Sequence, residues 1–195
     1  MTIRNLKFYA FIVLFSGLFA CGSSSQTTEV ENAEQTTEEV TEVKEETKQE
    51  GSDLTIYQKS FLGLSPDMNI TDYKGTLEKS LLQTGEGDFD IFNVKDDKGN
   101  VVAYFLPFGE KEDKVGSITV TSDQAKTEDG IKIGDTFGTL LQKYPDLKVF
   151  GSEIEGYTEA VVGNLGYKLD EQHYSYELKV SDVKKETEII EIIIK

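Results

Sequence analysis

Alternation of apolar and polar residues along the chain predicts a domain built mainly from β-strands. Residues 88–94 (DFDIFNV) and 101–108 (VVAYFLPF) flank the turn-forming run KDDKGN at 95–100, which predicts a β-hairpin. Residues 115–122 (VGSITVTS) alternate and predict a further strand. Residues 173–180 (HYSYELKV) alternate more strictly, with four apolar side chains opposed to four polar ones, and predict a strand with one solvent-exposed face.

The segment Ile189–Ile194 (IIEIII) differs from these strands because it is apolar on both faces and rich in β-branched residues. That composition is typical of a strand in the centre of a sheet, where both faces and both edges are covered. A central strand this late in the chain predicts that truncation at this end is severely destabilising.

One helix is predicted in residues 135–145 (DTFGTLLQKYP). Its N-terminal Asp135 is a residue type that caps helices, and Pro145 discourages continuation beyond the last apolar position. The apolar side chains fall at i, i+3, i+4 and i+7, on one face of a helix: Phe137, Leu140, Leu141 and Tyr144.

The pattern D-x-x-G-T-L occurs twice, at Asp72–Leu77 and at Asp135–Leu140. If both copies are helical, Tyr73, Leu77 and Leu81 line one helix face, and the chain contains a duplicated helix-plus-sheet unit. Coincidence is the favoured interpretation, because so short a pattern recurs easily. Residues 74–84 (KGTLEKSLLQT) are also compatible with a strand that leads into the hairpin, which would remove the repeat.

Together these elements predict an α+β fold, mainly an antiparallel β-sheet with one or two short helices, in a single domain at residues 53–195. This segment is long enough to bury one substantial core. It is preceded by a predicted signal peptide (residues 1–20) and a predicted tether (residues 21–52). The tether contains nine Glu, two Lys and no aromatic residue, so it buries too little surface to fold and is predicted to be disordered. A transient helix around Glu38–Lys48 is the alternative.

The signal peptide ends at the only cysteine of the chain, Cys21. Two basic residues, Arg4 and Lys7, precede a run of mostly apolar residues that is too short to span a membrane. The run ends in Leu18-Phe19-Ala20-Cys21, which resembles the lipobox of bacterial lipoproteins.

In that family the signal is removed just before the cysteine, here between Ala20 and Cys21, and the cysteine is acylated. The resemblance therefore implies that Cys21 anchors the protein to a membrane. The alternative is an ordinary signal peptide cut elsewhere, with Cys21 a free thiol. In that family, an aspartate directly after the cysteine retains many lipoproteins in the inner membrane. Because residue 22 is Gly22 here, the resemblance favours the outer membrane, and the protein is predicted to face the periplasm.

A second resemblance lies in residues 117–145 (SITVTSDQAKTEDGIKIGDTFGTLLQKYP). The order of parts resembles the RpoE-regulated outer-membrane lipoproteins, a bacterial family of unknown function. The resemblance implies an envelope lipoprotein with an antiparallel sheet and few helices, and it transfers no catalytic residue. The residues that carry it are Ile118, Val120, Ala125, Thr127, Gly130, Ile131, Gly134, Phe137 and Leu140.

Candidate chemistry is sparse. His173 is the only histidine, and a surface histidine is the favoured interpretation over a general base. Glu153 and Glu155 are two residues apart, so they would share a face as paired catalytic carboxylates on a strand, or be solvated on a loop between the flanking glycines. Two runs of oxygen-bearing side chains are potential calcium ligands, although neither has the spacing of an EF-hand loop: Glu86, Asp88 and Asp90, and Asp96, Asp97 and Asn100.

The charge distribution restricts the partners. The chain has a formal net charge of −16, of which residues 53–195 carry −11. Such a domain repels phosphate backbones, so nucleic acid is not an expected partner. The sequence predicts no cofactor and no metal site. It favours a non-enzymatic envelope lipoprotein, a binding or structural module for an envelope protein or a small ligand, and the alternative is an envelope hydrolase that uses acidic residues.

The anchor gives the first prediction. Cys21→Ser removes the acylated sulfur, so the protein should move from the membrane pellet to the soluble fraction after cell lysis and ultracentrifugation. A matched Ser23→Ala variant should stay in the pellet. A Cys21→Ser protein that remains in the pellet contradicts the lipobox interpretation.

Overall fold

The computed structural model describes residues Asp53–Lys195, and the predicted signal peptide, the predicted lipidation site Cys21 and the predicted tether lie outside the described residues. The described part of the chain contains the following elements: β1 (Thr55–Tyr57), β2 (Ser60–Phe61), β3 (Thr76–Thr84), β4 (Gly87–Lys95), β5 (Val101–Phe108), β6 (Lys114–Val120), β7 (Lys126–Thr127), α1 (Phe137–Lys143), β8 (Lys148–Gly151), β9 (Tyr157–Val162), β10 (Leu165–Gln172), β11 (Ile189–Ile194), and short 3-10 helices at Ile70–Asp72 and Val180–Asp182.

Eight strands form one sheet in the order β3-β4-β5-β6-β11-β10-β9-β8, and every neighbouring pair in it is antiparallel. Three short strands form a second sheet in the order β2-β1-β7. The predicted α+β fold, mainly an antiparallel sheet with few helices, is therefore confirmed. In residues 53–195 no helix is both long and apolar enough to cross a membrane.

The hydrophobic core lies against one face of the large sheet. Residues directly opposite in an antiparallel ladder share a face, and a row of such pairs crosses the sheet from Phe105 to Ile118 to Ile194 to Leu165. All four of these side chains are buried. The opposite layer of the core comes from α1, through Phe137 and Leu140, and from the small sheet, through Ile56, Phe61 and Thr127.

The prediction for Ile189–Ile194 is confirmed, because β11 is the fifth strand of eight and pairs with both β6 and β10. Ile192 and Ile194 are completely buried on the core face. Ile190, however, is exposed, so the strand is not covered on both faces along its whole length as its apolar sequence predicts.

The predicted helix is also confirmed, although its N-cap is not Asp135. Thr136 is the N-cap, and its hydroxyl accepts a hydrogen bond from the backbone amide of Thr139 at 3.2 Å. The Asp135 carboxylate instead accepts the backbone amide of Lys132 at 2.9 Å and stabilises the turn before the helix. Asp135 and Thr136 are neighbours, and both are residue types that cap helices. Because Asp135 is engaged in the turn at residues 132–135, Thr136 caps the helix.

The helical interpretation of Asp72–Leu77 is wrong, so the favoured interpretation of the repeated pattern as a coincidence is correct. Residues 76–84 are the nine-residue strand β3, which pairs along its whole length with β4. The alternative interpretation, a strand leading into the hairpin, is the correct one. The hydrogen-bonded pairing that β4 offers outweighs the weak tendency to form a helix that the spacing of Tyr73, Leu77 and Leu81 indicates.

The hairpin of β4 and β5 forms at the predicted place. Asp96 Oδ1 accepts the backbone amides of Lys98 and Asn100 at 2.9 and 2.8 Å, and Oδ2 accepts the Asn100 side chain at 2.9 Å. The hydrogen bond from the Asn100 side chain, together with the two amides, holds the pKa of Asp96 below its usual value. This aspartate therefore closes its own turn, as such residues commonly do in hairpins.

The predicted strand at 173–180 is wrong. Only one bridge, between Phe150 and Glu177, connects this segment to the edge strand β8. Tyr174 and Tyr176, which the alternation assigned to a buried face, are 63% and 61% exposed. Glycine at Gly151 lets the segment approach β8, because a Cβ there would overlap the carbonyl oxygens of His173 and Ser175. The segment crosses the edge of the sheet in an irregular conformation.

The helix contact gives a stability prediction. Leu140 is completely buried between α1 and the sheet, so Leu140→Ala should lower the free energy of unfolding by about 2–5 kcal/mol, measured by urea denaturation. Leu81→Ala is the matched control, because Leu81 is 58% exposed on β3. That control should change stability by no more than about 0.5 kcal/mol, and equal effects of the two variants contradict the packing described here.

Candidate ligand-binding groove

We call the face of the large sheet opposite the core the open face. It carries a row of mostly charged side chains. Phe150, Glu159, Lys168 and Glu191 follow one another across β8, β9, β10 and β11 as directly opposed pairs. The Lys168 ammonium lies 3.1 Å from the Glu191 carboxylate. Alternating signs on adjacent strands make the row favourable to the fold.

A groove of about 530 Å³ lies at the β8–β9 end of the open face, and we call it the Tyr157 groove. Side chains of β8 and β9 form its floor, the turn after β8 forms one wall, and the 173–180 segment forms another. Its lining residues are Phe150, Gly151, Ser152, Glu153, Ile154, Tyr157, Glu159, Val161, Tyr176 and Lys195.

The floor of the groove contains an ion pair whose carboxylate is buried and whose ammonium side chain is partly exposed. The Glu159 side chain is only 9% exposed, and its Oε2 accepts a hydrogen bond from Lys195 Nζ at 2.9 Å. The second oxygen, Oε1, lies 2.8 Å from the same ammonium, but outside hydrogen-bond geometry, and no other donor reaches it. Glu159 is therefore charge-compensated but incompletely hydrogen-bonded.

The backbone of β10 is adapted to this carboxylate. Gly166 lies directly beneath it, and a Cβ at Gly166 would overlap Glu159 Oε1. Any larger residue at this position would push the carboxylate off the floor. A glycine inside a strand often marks such a close approach, and here it admits a charged group.

Aromatic side chains surround the charged floor. The rings of Phe150 and Tyr176 are 5.5 Å apart and tilted by 41°. Gly156 has a φ of 71° and lies under the ring of Tyr174, so a side chain at this position would be both strained and obstructed. Ile154 is 82% exposed at the tip of the turn. The rim of the groove thus presents apolar surface around a buried carboxylate.

The two carboxylates singled out from the sequence lie beside this groove but do not form a pair. Glu153 and Glu155 are both exposed on the turn at residues 153–155, and only Glu153 lines the groove. The carboxylate that the structure buries is Glu159, which sequence reasoning missed. Its signal was a single charged residue in the strand Tyr157–Val162, but its partner Lys195 is distant in sequence and not predictable from that pattern.

His173 lies in a hydrogen-bonded group on the core side of the sheet. Its Nδ1 is 2.9 Å from Thr158 Oγ1, and its Nε2 is 4.0 Å from Glu171. The order carboxylate, imidazole, hydroxyl is that of a nucleophilic triad. Thr158 is completely buried and does not line the Tyr157 groove, so a substrate has no access to its hydroxyl, and the group has a structural role.

Neither run of oxygen-bearing side chains that could have served as calcium ligands gathers around a common point. Glu86, Asp88 and Asp90 are exposed along the β3–β4 hairpin, and Asp96 closes its own turn. Within residues 53–195, no group of three or more His, Cys, Asp or Glu side chains is arranged to hold a metal ion.

Glu171 gives a prediction of pH dependence. Burial raises its pKa, but the hydrogen bond from Thr187 at 2.8 Å and the contacts with Lys184 outweigh this effect, so the pKa lies below its usual value. The carboxylate therefore stabilises the fold above the unfolded-state pKa of about 4.3, and this contribution is lost as the pH falls through the lower folded-state pKa.

Glu171→Gln should lower stability at neutral pH and reduce the additional loss on acidification below about pH 5, measured as melting temperature against pH. Glu186 is an exposed neighbour, and Glu186→Gln makes the same charge change. Its melting temperature should depend on pH as that of the original protein does. Parallel pH profiles for Glu171→Gln and the original protein contradict the assignment.

Comparisons with known proteins do not assign the chain to a family. No protein-family model matches the chain, and no curated protein matches it. Among solved structures, the chain is similar to the uncharacterized protein yfeY from Escherichia coli, at 16% sequence identity and a TM-score of 0.48. The similarity covers 72% of this chain and 99% of that one. A likeness at this level carries no functional argument, and the resemblance to the RpoE-regulated lipoproteins stays a prediction.

Proposed function

We propose that this chain is a lipid-anchored lipoprotein of the bacterial cell envelope that acts as a binding module. The predicted acylation of Cys21 would hold it at the outer membrane, facing the periplasm. The Tyr157 groove would be its binding surface for another envelope component. The observation that carries this proposal is the groove itself, where exposed aromatic and apolar side chains surround the buried Glu159 carboxylate and its partner Lys195.

The composition of the groove resembles that of protein recognition surfaces. Aromatic residues are enriched where proteins bind one another, and they combine a large contact area with few rotatable bonds. Tyr176 lines the groove and packs against Phe150, and the Tyr174 ring lies over Gly156; more than half of each tyrosine side chain is exposed. Such ordered but uncovered rings lose little conformational entropy when a partner covers them.

The alternative is an envelope hydrolase that uses Glu153 and Glu159, because both carboxylates line the groove. A general acid needs a protonated carboxyl, and a general base needs one that is free to take a proton. Glu159 is instead paired with Lys195 at 2.8 Å, and Glu153 is solvated on a turn. These arrangements favour a binding role for the groove over acid–base catalysis.

The test is site-specific photo-crosslinking in cells of the native host. Tyr176→p-benzoylphenylalanine places the crosslinker on the groove wall of the full-length protein, and irradiation should give one discrete adduct on an immunoblot. Leu81→p-benzoylphenylalanine is the control, because Leu81 is similarly exposed but lies on β3, at the opposite edge of the sheet.

Mass spectrometry of the Tyr176 adduct then identifies the bound component. Tyr157→Ala should reduce the yield of that adduct, since it removes a ring from the groove floor. Absence of an adduct at position 176, or the same adducts at positions 176 and 81, contradicts the groove as the binding surface.

A further inference from the structure

The outer edge of β3 is open. The strand pairs along its whole length with β4, and no strand in residues 53–195 pairs with its other edge. The hairpin closes with Thr84 directly opposite Gly87, so these two residues exchange both backbone hydrogen bonds. Alternation then turns the backbone N–H and C=O groups of every second residue away from β4: Leu77, Lys79, Leu81 and Gln83. An unpaired row of this kind is a template for another strand.

The distal half of this hairpin has little support from its own domain. Within the described residues, β4 pairs with β5 only over Phe92–Lys95, whereas its pairing with β3 continues to Gly87. Leu81 is 58% exposed and Phe89 is 36% exposed, and a groove of about 560 Å³ lies against the middle of β3. Because a two-stranded ribbon is only marginally stable in water, a further strand would stabilise this hairpin.

The charges of the hairpin make its edge complementary to a second copy of itself. On one face, the directly opposed pairs are Lys79 with Phe92, Leu81 with Asp90, and Gln83 with Asp88. The Lys79 ammonium lies 5.7 Å from the centre of the Phe92 ring, so it folds over β4 and leaves the edge clear. The base thus lies toward one end of the edge and the acids toward the other. Antiparallel alignment of two copies brings the base of each toward the acids of the other.

The same residues favour one register. Alignment about Leu81 places Leu81 opposite itself and Lys79 opposite Gln83 of the second copy, whose neighbour on β4 is Asp88. Alignment about Lys79 would instead place two ammonium groups side by side, which is unfavourable. In the Leu81 register, the Asp90 residues of the two copies are three strand spacings apart, about 14 Å. That distance exceeds the Debye length at physiological ionic strength, so their repulsion is screened.

We propose that two copies of this chain associate through β3, in an antiparallel pair centred on Leu81, and form a two-fold symmetric dimer with one continuous sheet. A second copy is favoured over a foreign strand because the edge carries both charge signs in the order that its own antiparallel copy matches. The Tyr157 groove lies at the opposite edge of the sheet and stays open in each copy. The dimer therefore does not rest on the proposed function.

The strength of the dimer depends on protein concentration. Contact through a single strand is smaller than a standard protein interface, so we expect a dissociation constant of roughly 1–100 µM in free solution. The predicted membrane anchor would confine the copies to one surface and raise their effective concentration. At submicromolar concentration the protein is a monomer, and the Leu81→Ala stability control applies to that state.

Disulfide trapping in intact cells of the native host tests the pairing. In a hydrogen-bonded antiparallel pair the Cα atoms are about 5.5 Å apart, which suits a disulfide. Leu81→Cys, oxidised with copper phenanthroline, should therefore give a reducible band at twice the monomer mass on an immunoblot. Asp90→Cys is the matched control, because Asp90 is exposed beside Leu81 on the same face but too far from its counterpart to form a disulfide. The original protein, whose only cysteine is Cys21, gives the background.

Two further changes in the Leu81→Cys protein distinguish strand pairing from chance collision. The Gln83 amide points outward, so Gln83→Pro removes a hydrogen bond to the second copy and leaves the β3–β4 ladder intact. It should lower the yield of the disulfide dimer at least about threefold, whereas Gln83→Ala should not. Lys79→Glu places like charges together and should also lower the yield, and Lys79→Glu with Asp88→Lys should restore it. This charge exchange still tests the dimer if Gln83→Pro proves unstable.

Two results overturn the inference: a dimer band from Leu81→Cys no stronger than that from Asp90→Cys, or a yield that neither Gln83→Pro nor Lys79→Glu changes. The adduct of Leu81→p-benzoylphenylalanine identifies the occupant independently. An adduct of two copies supports the dimer, whereas an adduct with a different protein shows that a foreign strand occupies the edge and overturns it. The Tyr176 crosslink reports on the other edge of the sheet, so either proposal can fail while the other stands.

Discussion

The pairing of β11 on both of its edges is the constraint on which the rest of the structure depends. This strand joins β6 of the first half of the chain to β10 of the second. Its core-facing Ile192 and Ile194 are completely buried. Alternation then places Glu191 and, directly after the strand, Lys195 on the open face, so the segment that closes the core also supplies one carboxylate and one ammonium group to that face.

The Tyr157 groove combines groups that are remote in the chain. Its carboxylate comes from β9, the space for that carboxylate from Gly166 in β10, and its ammonium from Lys195. The aromatic wall is added by a segment that is not a strand at all. Each contribution is modest, but loss of the Lys195 ammonium would leave the buried Glu159 carboxylate uncompensated, which costs more than the ion pair itself contributes. The site is therefore sensitive to changes on any of these elements.

The elements that were predicted correctly have a local cause. The β4–β5 hairpin was predictable because its turn residues supply their own hydrogen bonds, as Asp96 does. Helix α1 was predictable because Phe137 and Leu140 fall one turn apart on a single face. The errors arose where a tertiary partner decided the outcome: β3 is a strand because β4 offers it a full ladder, and residues 173–180 are not, because only Glu177 finds a partner on β8.

The sequence by itself determined the mainly antiparallel α+β fold, the central position of Ile189–Ile194 and the acidic character of the domain, because these follow from periodicity and composition. It also identified the turn that carries Glu153 as a candidate site. Only the tertiary structure decided that Glu159 is the buried carboxylate and that Lys195 compensates it. The physical reason is that burial and ion pairing depend on which strands become neighbours, and strand order is a long-range property that no local pattern contains.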